Sequence, residues 1–391
     1  MKFNRIIIIV LDSVGIGQAP DCEKFGDIGV NTLGNISEKV GLNLPNLQKM
    51  GLGNINYIKT VLPVEKPIAN FGKMQEVSNG KDTMTGHWEM MGVTLKNGFK
   101  QYVKNGFPQE LIEEFEKRTK RKVIGNKEAN GMKIISEYFD EHMQTGNFIL
   151  YTSVDSTWQL AAHEEKIPLE ELYDACKIAR ELTANDKYNV ARVIARPFLG
   201  TKENFYRTAN RHDYALNPFE KTVMEKLVEN NYDSIAIGKI SDIFNGVGVS
   251  KKILTKNNLD GIKKTIEQIK EKNTGLIFTN LVEFDSVYGH PRDVEGYKNA
   301  LEEFDKELPK ILQVLNDDDL LIITADHGND PTYKGNDHTR EYVPLLVYNN
   351  LLKGNNQITL RTTFQDLGET IADNFNLEST DNGTSFLNEL K

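Results

Sequence analysis

The hydrophobic pattern opens on a continuous run, Ile6-Ile7-Ile8-Ile9-Val10-Leu11, with no polar position to mark a solvent-facing side. β-Branched residues without alternation predict a strand buried on both faces of a parallel sheet. Comparable runs recur late in the chain over Ser234–Gly238, Leu276–Leu281 and Leu320–Thr324. Apolar positions at helical spacing predict amphipathic helices over Phe219–Asn230, Asp260–Lys272, Val294–Leu315 and Thr363–Asn374. Strands that alternate with helices imply crossover connections and an open α/β sheet covered on both sides.

The middle of the chain reads differently. A charge-rich helix over Gln109–Thr119, a strand over Phe148–Thr152, a helix over Leu169–Thr183 and a strand over Val190–Ile194 form a short α+β pattern between two parts of the larger sheet. The expected organisation is a three-layer α/β/α core interrupted by a smaller α+β cap: residues 1–95 and 219–391 form the core and 96–218 the cap. Asp317-Asp318-Asp319 reads as a solvated turn.

Composition narrows the function. The 391 residues carry 47 basic against 56 acidic side chains, a net charge of −9, which argues against broad affinity for nucleic acid or an anionic membrane. An anionic ligand therefore requires a local cluster of cations. The two cysteines, Cys22 and Cys176, form neither a metal-type pair nor a disulfide framework. The N-terminal apolar run is short and interrupted by Asp12, unlike a signal peptide, and no stretch approaches the ~18 apolar residues of a membrane span. A cytoplasmic, monomeric protein acting on small molecules is expected.

Three aspartates end or closely follow buried runs: Asp12, Asp285 and Asp326. Ligands of an open parallel sheet bind at the carboxyl ends of its strands, so these acids are expected to converge there. Converging carboxylates repel and call for a cation, and added imidazoles widen the choice beyond Mg²⁺ or Mn²⁺ toward Zn²⁺. Three of the seven histidines, His290, His327 and His338, lie in the same late segment and join the ligand candidates. His87, His142, His163 and His212 lack this company, and His142 and His163, set among glutamates, are expected at the cap surface.

A nucleophile candidate lies in Asn79-Gly80-Lys81-Asp82-Thr83-Met84-Thr85-Gly86-His87-Trp88-Glu89. Phe71–Ser78 reads as a strand, Asn79-Gly80 as a turn and the residues after Asp82 as a helix start. A threonine hydroxyl there would face a helix N-terminus, where free N–H groups favour a phosphoryl group. Spacing alone leaves Thr83 and Thr85 as alternatives.

These segments together resemble one family. Asp12-Ser13, Lys81 to Glu89, Asp285 to His290, Thr324 to Pro331 and Asp337 to Glu341 are similar to the bacterial, metal-dependent phosphopentomutases of the alkaline phosphatase superfamily. The resemblance extends through Ala161 to Glu165, Arg192 to Phe198 and Asn210 to Tyr214. It implies Thr83 as nucleophile. One Mn²⁺ would be held by Asp12, Asp326, His327 and the Thr83 oxygen, and a second by Asp285, His290 and His338. The implied reaction interconverts ribose 1-phosphate and ribose 5-phosphate, or the deoxyribose pair, through phosphothreonine and a 1,5-bisphosphate. Ribose 1,5-bisphosphate or glucose 1,6-bisphosphate would serve as primer.

Such a scheme needs a second anion site. Arg192, Arg196, Arg207 and Arg211 are expected to cluster, with Arg192, Arg207 and Lys239 the preferred phosphate holders and Asp155 a partner for a ribose hydroxyl.

Overall fold

The computed structural model describes residues 2–153, 156–185, 187–380 and 382–391. Its strands are β1 Arg5–Leu11, β2 Asn70–Met74, β3 Val123–Glu128, β4 Phe148–Thr152, β5 Thr157–His163, β6 Arg192–Leu199, β7 Tyr206–Arg207, β8 His212–Ala215, β9 Asp233–Ile237, β10 Lys251–Ile253, β11 Gly275–Leu281, β12 Asp319–Thr324 and β13 Val343–Tyr348. The helices are α1 Thr32–Val40, α2 Pro45–Met50, α3 Leu52–Ile55, α4 Thr83–Met90, α5 Gln109–Thr119, α6 Gly131–Thr145, α7 Leu169–Thr183, α8 Val223–Glu229, α9 Ile240–Ile243, α10 Asn258–Lys270, α11 Val294–Val314 and α12 Gln365–Phe375. The chain divides into two units, one built from the segment up to Lys96 together with Pro218–Lys391, the other from Asn97–Asn217.

The larger unit is organised by its unbroken apolar runs. Its sheet has the order β10-β9-β11-β1-β12-β13-β2, with β1 between β11 and β12. Every residue of β1, β11 and β12 is buried, as expected of strands covered on both faces. Helices α1, α2 and α10 pack on α11, and α4 and α8 pack on α12 as a second group. The strands from β10 to β12 are parallel, but β13 runs antiparallel to β12 and β2 antiparallel to β13. The sheet is therefore mixed, and the antiparallel edge is a departure from the uniformly parallel pattern of the other strands. Register is what matters for function. Leu11 lies opposite Leu281, and Val10 opposite Thr324, so the carboxyl ends of β1, β11 and β12 are flush.

The smaller unit alternates its strand residues between two cores. Phe148, Leu150, Trp158 and Leu160 pack with α5 and α7, while Ile149, Tyr151 and Ala161 pack with α6. Its sheet runs β3-β4-β5-β6-β7, with β8 also on β6.

Several boundaries differ from the sequence expectation for local reasons. The helix expected from Phe219 begins at Val223, because Thr222 and Glu225 form a reciprocal capping box that sets its start. The strand expected over Val190–Ile194 is β6, shifted toward Leu199 by pairing with β5 from Arg192 to Phe198. Asp319 does not belong to a solvated turn: it is buried in β12, where Arg5 donates to both carboxylate oxygens at 2.8 and 2.7 Å.

Candidate metal centre

The flush strand ends deliver the acids. Asp12 directly follows β1, Asp326 lies two residues beyond β12, and Asp285 sits in a π-helical turn, Phe284–Gly289, just past β11. The chain leaves β1 through Ser13 at φ 73°, a left-handed turn that aims its N–H at Asp326 Oδ1, 3.0 Å away. Asn280, near the end of β11, donates to Asp12 Oδ2 at 2.8 Å.

The result is two adjoining donor sets. Asp12, Asp326 and His327 form one, and Asp285, His327 and His338 the other, with the ligating atoms of each set within 4.8 Å of one another. His327 Nε2 stands 3.5 Å from Asp12 Oδ1 and 3.3 Å from Asp326 Oδ2. His290 and His338 each place Nε2 3.2 Å from an Asp285 oxygen, and 3.2 Å from each other.

The electrostatics ask for a cation. Burial pushes the Asp12 carboxyl well above its usual range, and the charges of Asp326 and Asp285 push it further. Burial acts the same way on Asp326, but His327 and His87 outweigh it and hold that carboxyl at about 2. For Asp285, too, burial is outweighed by His338 and His290, and its carboxyl lies well below the usual range. Asp12 Oδ1 and Asp326 Oδ2 are buried without a hydrogen-bond partner. His327 Nδ1 bonds the Gly328 carbonyl at 3.0 Å and His290 Nδ1 the Asn336 carbonyl at 2.6 Å, which assigns the proton to Nδ1 and the lone pair to Nε2. Lone pairs thus face anionic oxygens. Divalent cations fit this donor set, since they would satisfy the orphaned oxygens and the imidazole nitrogens together.

Helix α4 brings the hydroxyl. Asp82 caps it, accepting from the Met84 and Thr85 N–H groups at 3.1 Å, and it also takes the Thr85 hydroxyl at 2.6 Å. Thr83, the first helical residue, instead lies with Oγ1 3.3 Å from His327 Nε2. The two threonines are therefore distinguished by geometry. The cap also corrects an expectation, because two of the N–H groups that a phosphoryl group would use are already taken by Asp82. The close approach of α4 requires Gly86, where a Cβ would stand 2.2 Å from the Asp326 carbonyl oxygen.

The other expected site residues are shared between the two units. Lys239 follows β9, and its charge reaches Asp12, favouring the ionised carboxylate. Arg192 and Arg207 belong to the smaller unit. There Arg207 reaches the Tyr151 hydroxyl at 3.4 Å and Arg196 bonds Gln159 at 3.1 Å. Burial raises the Tyr151 hydroxyl, while Arg207 and Arg196 beside it act in opposition. Arg211 pairs with Asp213 at 2.7 and 2.6 Å, and burial together with the charges of Arg211 and Arg207 lowers the Arg196 guanidinium, so these three arginines of the smaller unit lie near one another. Asp155 lies outside the described residues.

Two histidines expected at the surface are buried instead. His142 Nε2 accepts the His163 N–H at 2.9 Å and its Nδ1 bonds the Asn147 carbonyl at 2.6 Å, so the ring joins α6 to β5. Conversely, His87 was not expected near the acids, yet its Nδ1 lies 3.2 Å from Asp326 Oδ2 and its ring is fully buried. The available signal was its place four residues after Thr83, one helical turn along the same face. Asn280 and Asn329 also support the carboxylates, and only their closeness to strand ends hinted at it.

A family model, the metalloenzyme superfamily, matches residues 4–379. The chain belongs to this superfamily. This metalloenzyme is similar in structure to a Leishmania mexicana phosphoglycerate mutase solved at low cobalt concentration, at 12% identity and a TM-score of 0.53, covering 100% of this chain and 98% of that one. It is also similar to a Pyrococcus horikoshii protein, at 15% identity and a TM-score of 0.51, covering 96% and 98% respectively. At these identities the likeness establishes the fold, which is alkaline-phosphatase-like. No helix among the metalloenzyme's described residues is long and apolar enough to cross a membrane.

Proposed function

We propose that the chain is a phosphopentomutase, a cytoplasmic monomer that moves a phosphoryl group between the 1- and 5-positions of ribose or deoxyribose through phosphothreonine at Thr83. The observation that carries this reading is the Thr83 hydroxyl, 3.3 Å from His327 Nε2 and beside two sets of acidic and imidazole donors. Membership of a metalloenzyme superfamily and the segments shared with phosphopentomutases support it.

Asp12, Asp326, His327 and the Thr83 oxygen would hold one Mn²⁺, and Asp285, His290 and His338 the other. When bound, two such cations would neutralise the charge that gathers on a transferring phosphoryl group. The chain's own residues orient the exchange. In the proposed cycle the free hydroxyl oxygen of the sugar monophosphate bonds the phosphorus on Thr83, the bond to Oγ1 breaks, and the hydroxyl proton ends on Thr83. The bisphosphate turns over, and its other phosphate returns to Oγ1 as the sugar oxygen regains a proton. Arg192, Arg207 and Lys239 would hold the distal phosphate, with Asp155 on a ribose hydroxyl.

The test is mass spectrometry of the enzyme after incubation with Mn²⁺ and glucose 1,6-bisphosphate, followed by turnover of ribose 5-phosphate observed by ³¹P NMR. Phosphate on Thr83 and formation of ribose 1-phosphate are expected, and Thr83→Ala should lower turnover by about 10³-fold or more. Release of inorganic phosphate without ribose 1-phosphate would make the protein a phosphatase instead.

A further inference from the structure

The loop that carries His338 and the turn that carries Asp285 and His290 are joined by one side chain that the proposed reaction does not use. Arg292 donates from Nε to the Gly335 carbonyl at 2.7 Å and from Nη2 to the Asp337 carbonyl at 2.7 Å. Its Nη1 donates to the Gly289 carbonyl at 3.0 Å and to Asn329 Oδ1. Each contact lies next to a ligand candidate. Asn329 turns its Nδ2 onto Asp285 Oδ1 at 2.8 Å. Between Gly335 and Asp337 stands Asn336, whose carbonyl receives His290 Nδ1. Asp337 immediately precedes His338, and its side chain accepts the His338 N–H at 2.9 Å.

The backbone adds a second observation. Arg292 sits at φ 60°, a left-handed conformation that strains a non-glycine residue and persists only where surrounding contacts enforce it. A planar guanidinium with five fixed donors suits several converging carbonyls, and the single ammonium of lysine does not.

We propose that Arg292 is the positioning residue of the second proposed metal site: it holds Asp285, His290 and His338 in the arrangement that takes a divalent cation, and leaves the Asp12–Asp326 set to other supports. This rests on the metal-binding reading given above. The support of the first set is separate, through the Ser13 N–H on Asp326 and Asn280 on Asp12.

The experiment is titration of the metal-free full-length protein with Mn²⁺, with free ion followed by electron paramagnetic resonance, for wild type, Arg292→Gly and Arg292→Lys. Glycine adopts the left-handed backbone freely, so Arg292→Gly removes the side chain without adding strain. Wild type should bind two ions. Both variants should keep one site at wild-type affinity and weaken the other by about 10- to 100-fold, the usual consequence of losing an outer support of a ligand set. If Arg292→Gly does not fold, Arg292→Lys decides by the same criterion. Two undiminished sites in a folded variant, or equal weakening of both, would overturn the positioning role and leave the metal centre standing. Wild type that binds no Mn²⁺ would remove the metal centre itself.

Discussion

His142 illustrates how a single residue acquires a pH-dependent role from its surroundings. Burial holds its imidazole at about 4, below the ordinary 6.5, and protonation would also break the bond in which Nε2 accepts the His163 N–H. The folded state therefore binds fewer protons than the unfolded chain between these values. Its contribution is fully present above pH 6.5 and is lost as pH falls toward 4, amounting to at most about 3 kcal/mol. Thermal midpoints measured from pH 7 to 4 should fall more steeply for wild type than for His142→Gln. Parallel profiles would exclude His142 as the responsible group. At this scale the sequence revealed donor types but not their company. His87 and His142 carry the same side chain as His338, and only packing decides that one stands beside Asp326, one joins a helix to a strand and one faces Asp285.

Among the elements, α4 couples local sequence to the site most tightly. Asp82 ends the preceding turn and starts the helix, and Gly86 lets the helix lie directly against Asp326. Gly86→Ala should displace α4, and with it Thr83, because the added methyl meets a backbone carbonyl rather than a movable side chain. The expected result is a loss of turnover of about 10²-fold, with the far-ultraviolet circular dichroism spectrum unchanged. Wild-type turnover in this variant would mean that the position of α4 is not critical. The central strands were legible because β1, β11 and β12 are buried on both faces and need unbroken apolar runs. The elements β5, α6 and β13 were not. The strand β5 mixes Thr157, Gln159 and His163 with apolar residues, since its polar groups are satisfied by neighbours rather than by water.

As a whole, the molecule holds two units, and the smaller has hydrophobic cores of its own on both faces of its sheet. The segment Asn97–Asn217, expressed alone, should therefore unfold in one cooperative thermal transition. A non-cooperative melt would mean that it depends on the rest of the chain. What the sequence determined by itself was the set of buried strands, the acids that follow them and the clustering of three histidines late in the chain, because burial and strand-end position leave a local pattern. Only the tertiary structure decided that Thr83 rather than Thr85 faces His327, that Asp82 occupies two of the helix N–H groups, that His87 stands beside Asp326 while Asn280 braces Asp12, and that Arg292 binds two loops together. Those outcomes depend on which distant atoms share a small volume, and residues hundreds of positions apart leave no local trace of that meeting.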